Sequence, residues 1–461
     1  MKVGFITLGC DKNTVDSERY LGELAGYGGE YTAELADADV IIVNTCGFID
    51  AAKKESIDAL VEAGRYKSDG VCQAVVAIGC MVERHKAELI DALPEVDLFL
   101  GASESGTLAR RLGERGIGIA DPVALHPGVR QYTGDLPHVR YVKISEGCDH
   151  GCAFCAIPLM RGRHRSFSRD EVVREAQLIE LQGAREINLV AQDLAHYGRD
   201  LLDGVRLPEL LESLVAETSV PWFRMLYLYS AGITPRLLEV LARESRILPY
   251  LDMPMQHAAD EVLARMRRPE RKRTIREKVA RFREAVPGVA IRTTCIVGFP
   301  GETEEQFTEL LEFLEEIQFE RVGAFTYSPQ EGTRAAELSD DVPDAIKRER
   351  LERLTELQRS ITAERYEARI GTVARAIVDR RTGAGSQARL PWQADDIDGV
   401  THVDEAYAPG TFLDVAVQAV VDDYDFKATV VRVADPVRPS SRARQVLSLP
   451  MLNPTVGSYG R

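Results

Sequence analysis

The sequence predicts an α/β protein in three parts: an N-terminal open parallel α/β domain, a central partial (βα)6 barrel and a C-terminal small antiparallel β-barrel. Three observations predict it. Unbroken apolar runs such as Val40–Thr45 and Ala74–Gly79 alternate with helix-period segments, as in a parallel sheet covered on both faces. The alternation resumes at Val139 and continues through six strand candidates. After Gly371 it gives way to short strands punctuated by glycines and Pro409, which suits a small barrel. The expected divisions are residues 1–125, 134–369 and 370–435. A tail over 436–461, rich in Pro, Ser and Arg, is expected to be poorly ordered.

In the first part, Val3–Gly9 is an apolar run that ends in glycine and leads to Cys10. Asp16–Ala25 has helical spacing. Val40–Thr45 leads to Cys46, Ala51–Ala63 reads as a helix, Ala74–Gly79 leads to Cys80, and Val96–Leu100 is a fourth strand. Cys10, Cys46 and Cys80 each follow a strand at its carboxyl end. In an open parallel sheet those ends share one edge, and ligands bind in the crevice outside it. Free cysteine is often just a small buried hydrophobe. Three at the same phase of three strand units argue instead for a metal site with an open position. Cys72 precedes its strand and reads as structural.

Residues 126–136 have no periodic pattern and read as a linker. Barrel strands are expected at Val139–Ile144, Glu186–Ala191, Trp222–Leu228, Tyr250–Met255, Ala290–Val297 and Arg321–Tyr327. Helices are expected at Arg169–Leu181, Leu207–Thr218, Pro235–Arg243, Arg273–Ala285 and Thr303–Ile317. Chemistry in such barrels sits at the carboxyl ends of strands. After the first comes Glu146–Pro158, with Cys148, Cys152 and Cys155 at spacing C-x3-C-x2-C. Thiolates are soft ligands that suit iron–sulfur clusters and zinc. Structural zinc wants four ligands, so three cysteines make better sense as a cluster site with one iron left open. Gln192 and Asp193 follow the second strand, Gln256 and His257 the fourth, Gly298–Glu302 the fifth and Ser328–Gly332 the sixth.

Each of these has a plainer reading. Gly298–Gly301 is equally a turn before a Thr303-capped helix. His257 is as readily a satisfied polar residue as a catalytic one, and Cys295 reads as core. Arg161-Gly-Arg163-His-Arg165 is either a solvated turn or a clamp for a carboxylate or substrate. Val342–Arg369 reads as a long charged helix leaving the barrel. Strands are then expected at Val373–Val378, Thr411–Val421 and Ala428–Val433.

The whole chain sets bounds. At 461 residues it has ample length for several cores. Hydrophobic content is 45% and charged content 28%, ordinary for a soluble protein. No run approaches the ~20 apolar residues that span a bilayer, and Met1 leads straight into a strand pattern, so no membrane association and a cytoplasmic location are expected. Eight cysteines in such a chain read as metal-binding or catalytic rather than as disulfides. The net charge of −15 argues against non-specific nucleic-acid affinity and is compatible with a basic protein partner. Between Leu390 and Phe426 lie Asp395, Asp396, Asp398, Asp404, Glu405, Asp414, Asp422, Asp423 and Asp425, with no Lys or Arg. An RNA-binding surface should carry the opposite sign, so this stretch is expected to face a basic protein.

The Cys148–Cys155 loop after a first barrel strand, with Phe154 before its third cysteine, resembles the radical S-adenosylmethionine enzymes. The resemblance implies a [4Fe–4S] cluster on Cys148, Cys152 and Cys155, S-adenosylmethionine on its fourth iron, and reductive cleavage to a 5′-deoxyadenosyl radical. It also implies a cofactor-binding role for Gln192, Ile296 and Gly298 at the strand ends. The three-part layout is similar to one subgroup, the radical S-adenosylmethionine methylthiotransferases with a TRAM domain, and implies a second [4Fe–4S] cluster on Cys10, Cys46 and Cys80. Leu8-Gly-Cys10-Asp-Lys-Asn13, Asp16-Ser-Glu18, Ile397-Asp-Gly399 and Asp423-Tyr-Asp425 resemble the branch that modifies small-subunit ribosomal protein S-twelve, the RimO type. The tRNA-modifying branch usually has Gln-Met-Asn after its first cysteine. Asp11 departs from the expected proline, and the tail resembles an extension. The branch implies methylthiolation of the β-carbon of an aspartate on that basic ribosomal protein, free or on the ribosome, with an external one-electron reductant. The alternatives are the same chemistry on a tRNA adenosine, or a non-catalytic iron–sulfur carrier.

Overall fold

The computed structural model describes residues 1–104, 106–117 and 130–434, so the expected tail and residues 126–129 of the expected linker lie outside the described residues. The chain opens with β1 (Lys2–Thr7), α1 (Asp11–Ala25), β2 (Glu30–Thr32), β3 (Val40–Thr45), α2 (Asp50–Asp69), β4 (Ala74–Gly79), α3 (Cys80–Ala92), β5 (Leu98–Gly101) and α4 (Leu108–Gly113). The strands form one parallel sheet in the order β2-β1-β3-β4-β5. Every residue of β3 and β4 is buried, because apolar side chains on both faces pack under helices. Helix α1 starts at Asp11, not at Asp16. Its first turn is polar, so apolar spacing could not mark it, yet Lys12 and Asn13 are buried there. Neither the edge strand β2 nor α3 was expected. Gly79 at φ 101° turns the chain directly from β4 into α3, and a Cβ there would lie 2.4 Å from Asn44 Oδ1.

The middle of the chain runs β6 (Val139–Lys143), β7 (Ser145–Glu146), α5 (Ile157–Arg161), β8 (Arg165–Ser166), α6 (Arg169–Leu181), β9 (Glu186–Val190), α7 (Leu207–Glu217), β10 (Trp222–Met225), α8 (Pro235–Arg243), β11 (Tyr250–Asp252), α9 (Asp260–Arg265), α10 (Lys272–Ala285), β12 (Ala290–Val297), α11 (Glu304–Ile317) and β13 (Arg321–Thr326). The barrel strands form two parallel groups, β6-β9-β10 and β11-β12-β13. Leu248 N–H to Phe223 O and Leu228 N–H to Asp252 O, both 2.8 Å, bridge the seam. The result is the expected partial barrel. Capping boxes at Ser168/Glu171 and Thr303/Gln306 fix the starts of α6 and α11. One strand face, with Ile187, Leu189, Phe223, Met225 and Leu251, packs against the helices.

The other face meets the C-terminal part. After α12 (Asp344–Glu367) come β14 (Val373–Thr382), β15 (Gly385–Arg389), β16 (Thr401–Val403), β17 (Phe412–Val421) and β18 (Asp425–Val433), which close into a barrel in the order β14-β15-β16-β18-β17. Strand β15 reads Gly-Ser-Gln-Ala-Arg and β16 has three residues, too little alternation to signal either. Trp222 and Tyr250 of the large barrel share a core with Leu390, Trp392, Phe412 and Phe426 of the small one, and Val15 of α1 joins it. Buried ions cross the same boundary. Arg389 pairs with Asp379 and with Glu186 at 2.6 Å, and Glu186 also accepts from Arg224 at 2.9 Å.

This packing corrects the expected acidic surface over Leu390–Phe426. Asp395 is buried and accepts from Tyr141 Oη–H and from Asn188 at 2.8 Å. Asp398, fully buried, accepts from Tyr250 Oη–H at 2.6 Å and Arg321 at 3.3 Å. Asp414 lies between Arg375 and Arg432, Asp423 meets Arg359, and Asp404 meets Lys427. The cations come from outside the stretch that was counted. Asp395 and Asp398 therefore hold the fold together and offer no charge to a partner, whereas Asp396, Asp404, Glu405 and Asp422 remain exposed.

Candidate metal centres

The Cys148–Cys155 loop is set by glycine. Gly147 has φ 77°, and a Cβ there would come within 2.1 Å of the Arg163 carbonyl oxygen. Cys148 N–H bonds Gly162 O at 3.1 Å, and Ala153 N–H bonds Met266 O at 2.9 Å. Arg268 reaches Cys152 Sγ at 3.7 Å and lies 3.9 Å from the ring centroid of Tyr229. His150 stacks on that ring with centroids 4.0 Å apart and meets Asp193 Oδ2 at 2.7 Å. Burial pushes the Cys148 thiol up to about 11 and the Cys155 thiol up to about 12. A thiolate in that place needs a bound cation to form at neutral pH.

Cys10, Cys46 and Cys80 come to one sheet edge, as their phase predicts. Cys10 is exposed and precedes the first turn of α1, and Cys80 is the buried first residue of α3. A Cβ on Gly9 would lie 3.0 Å from Cys46 Sγ, so glycine lets the strand ends close up. Asn13 Nδ2 ties Leu8 O at 2.7 Å to Thr45 O at 3.3 Å, and Asn44 Nδ2 reaches Asn13 O at 2.9 Å. Burial pushes the Cys80 thiol up to about 11, with the Arg161 guanidinium opposing it.

Arg161 joins the two centres. It donates to Cys80 Sγ at 3.0 Å, Asp16 Oδ2 at 2.6 Å and Asn13 Oδ1 at 2.5 Å. Its side chain is 6% exposed, so it is neither a solvated turn nor a free clamp. Lys143 pairs with Asp16 and with Glu146, and Glu146 accepts from Gln192 at 3.0 Å. Burial alone would raise the Asp16 carboxyl, but Lys143 and Arg161 outweigh it and hold it far below its usual range. Cys80 also packs on Ala156 and Met160, just beyond Cys155. The N-terminal sheet edge thus faces the barrel mouth.

The other expected residues divide. Gln192 Oε1 and Gln256 Oε1 are buried at the mouth with no partner among the described residues, as expected of groups that await a ligand. Ile296 packs beside Phe154 and Phe299. Gly298 has φ 71°, and a Cβ there would sit 2.3 Å from Lys347 Cγ, so the packing of α12 already requires glycine. His257 is fully buried and accepts from Ala259 N–H at 3.0 Å. Burial pushes it down to about 3, so it stays neutral and holds a turn. Lys12, Tyr227 and Arg268 were not singled out. Each reads in sequence as an ordinary solvated or core residue, because nothing local marks a contact made across domains.

Among the described residues the one trio able to grip a single ion within 4.8 Å is His150, Asp193 and His196. Both Asp193 oxygens are occupied, however: Oδ1 accepts from Ala195 and Tyr229 N–H and Oδ2 meets His150. The trio orients His150. Both cysteine triads are more open than that, which suits a multi-iron cluster over one ion. Three soft donors on a half-buried loop with unpartnered polar atoms beside them fit a [4Fe–4S] cluster with bound S-adenosylmethionine.

Fold and site together define a radical S-adenosylmethionine enzyme. Residues 142–314 match the radical SAM superfamily, 370–431 the TRAM domain, and 2–101 an uncharacterised protein family, UPF0004. The fold resembles that of the radical S-adenosylmethionine methyltransferase TsrM from Kitasatospora setae, solved with cobalamin and a [4Fe-4S] cluster. The TM-score is 0.52 at 15% identity, over 71% of this chain and 76% of that one. The ribosomal protein uS12 methylthiotransferase RimO of Anaeromyxobacter sp. (strain Fw109-5) is 44% identical over 96% of this chain and 95% of its own. That of Desulforudis audaxviator (strain MP104C) is 44% identical over 93% and 97%. The chain belongs to the family of ribosomal protein uS12 methylthiotransferases.

Proposed function

We propose that the protein methylthiolates the β-carbon of an aspartate of ribosomal protein uS12 in the cytoplasm, either free or on the ribosome. An external one-electron donor drives the reaction. The observation that carries this reading is the meeting of two cysteine triads at the barrel mouth, bridged by Arg161. A methylthiotransferase needs both centres close to one substrate atom, whereas a carrier needs no such convergence. Cys148, Cys152 and Cys155 would hold one [4Fe–4S] cluster and Cys10, Cys46 and Cys80 the other, with Gln192, Ile296 and Gly298 beside S-adenosylmethionine. Together these groups supply the hydrogen-abstracting radical and the methylthio group.

The chain's own residues do the positioning. An unactivated C–H bond offers no acidic proton, so acid–base side chains cannot open it, and the protein's part is to bind, orient and exclude water. Arg161 and Asp16 fix the first turn of α1 against α5. Asp193 and Tyr229 fix His150 in the cluster loop. Gln192, braced by Glu146, keeps its carbonyl oxygen aimed into the mouth.

The test uses reconstituted enzyme with both uS12 and bulk tRNA. The expected result is a methylthio mass shift on uS12 alone. Changing Cys148, Cys152 or Cys155 to Ala should abolish 5′-deoxyadenosine formation. Changing Cys10, Cys46 and Cys80 together should keep some of it and remove the methylthio product. A mass shift on tRNA alone would move the chain to the tRNA branch. Clusters without 5′-deoxyadenosine would make it a carrier.

A further inference from the structure

Lys12 is a buried cation at the barrel mouth that no carboxylate meets. Its side chain is 7% exposed, and its ammonium stands 3.1 Å from the centroid of the Tyr227 ring. Among the described residues it makes no hydrogen bond and no ion pair. Its cationic neighbours all have partners. Lys143 pairs with Asp16 and Glu146, Arg161 with Asp16, Arg268 with Glu270, and Arg292 with Asp252. The carboxylates nearest Lys12 are engaged elsewhere. Asp11 accepts from Tyr227 Oη–H at 3.2 Å, and Asp252 accepts from Arg292 at 2.8 Å and Tyr227 N–H at 3.1 Å.

The ring under the ammonium is also held with effort. Tyr227 has φ 67°, a left-handed conformation that a tyrosine keeps only when its surroundings over-determine it. Its N–H is held by Asp252, and its carbonyl accepts from Leu194 N–H at 3.0 Å. A desolvated ammonium over an aromatic face gains some attraction but still lacks an anion. Lys12 lies two residues after Cys10, and Tyr227 lies just beyond the third barrel strand. The pair therefore stands where the N-terminal sheet edge, beside Cys10, meets the strand ends of the barrel.

We propose that Lys12 anchors the substrate, its ammonium pairing with the side-chain carboxylate of the acceptor aspartate. This rests on the uS12 reading above and names the contact that reading lacks. The carboxylate is bonded directly to the β-carbon, so holding the one sets the other at the mouth. Tyr227 is the floor that keeps the ammonium aimed. An adenine base has no carboxylate bonded to its reacting carbon, so this contact reads the aspartate side chain itself.

The test is a binding measurement on reconstituted enzyme without reductant, so that no turnover occurs. The probes are uS12 and a uS12 variant with Asn at the acceptor aspartate. The native enzyme should prefer the aspartate form by a factor on the order of 10–100. In Lys12→Met the preference should collapse to within about twofold, while iron per chain and S-adenosylmethionine binding remain at the native level. Lys12→Arg, which keeps the charge, should retain a preference, and it decides the matter if Lys12→Met fails to fold. An undiminished preference in Lys12→Met overturns the assignment. So does weakened S-adenosylmethionine binding in that variant, which would mean that Lys12 holds the carboxylate of the cofactor. Native enzyme that leaves no methylthio group on uS12 overturns the underlying function instead, a result read separately from the binding ratios.

Discussion

Replacing Arg161 with Met tests whether one side chain locks the two cysteine centres together. Methionine fills much of the arginine stem and removes all its donors. Asp16, Asn13 and Cys80 each lose a bond, at 2.6, 2.5 and 3.0 Å. Removing one partner of a buried ion pair costs about 3–5 kcal/mol. Asp16 keeps Lys143, so the lower end, about 3 kcal/mol, is the expected loss. Amide hydrogen exchange over α1 and α5 reads it locally, where about 3 kcal/mol means roughly 150-fold faster opening. The pH dependence has a definite sign. The depressed Asp16 carboxyl contributes stability that is present above its ordinary value of 3.8 and is lost as pH falls through the lower folded value. Without Arg161 the folded value rises, so that loss should begin at higher pH. In the double variant with Asp16→Asn, the two costs should fall short of adding. Exchange within about threefold of native, or full additivity, would refute the locking role.

Gly147→Ala places a Cβ 2.1 Å from a backbone oxygen at φ 77°; iron per chain should fall to roughly half as only the barrel cluster is lost, and native iron content would contradict this. Asp395→Asn should leave salt-dependent association with uS12 unchanged, because the carboxyl is buried; a clear drop in on-rate would restore the surface reading. Burial pushes Asp395 up to about 6, so its stabilising effect is present below its ordinary 3.8 and lost as pH rises through 6. The Asn variant should flatten that decline, worth at most about 3 kcal/mol in all, in urea midpoints between pH 3 and 7. Arg389→Met leaves Asp379 with His138 and Glu186 with Arg224 and should cost about 3 kcal/mol, the low end for a broken buried pair, seen as faster proteolysis of the C-terminal barrel; an unchanged cleavage rate would count against it.

Much of this molecule could be read from one dimension. Strands β3 and β4 match their expected bounds because strands buried on both faces are nearly continuous apolar runs. The strand-end phase of Cys10, Cys46 and Cys80 placed them on one edge because sheet topology converts phase into position. What failed were inferences from charge. Asp395 and Asp398 looked like a solvated acidic face, but their partners, Tyr141, Asn188, Tyr250 and Arg321, lie 77 to 254 residues away in sequence. Lys12 was invisible for the same reason, and Arg161, open between solvated turn and clamp, could not be assigned its partners. Each takes its meaning from an element in another part of the chain, and local pattern carries no trace of such a contact.

The small barrel's hold on the concave face of the large one has a consequence for how the protein is made. Glu186 lies 203 residues ahead of Arg389. At translation rates of about 5–20 residues per second, it waits about 10–40 s for that partner. During that interval the nascent chain can form its strands and helices, but the hollow stays lined with Glu186, Arg224, Asn188 and Tyr250 and has nothing to cover it. A product released before residue 389 would keep that polar cleft open, a mark that proteases and chaperones read directly. Closure of the hollow therefore reports that synthesis has reached the small barrel.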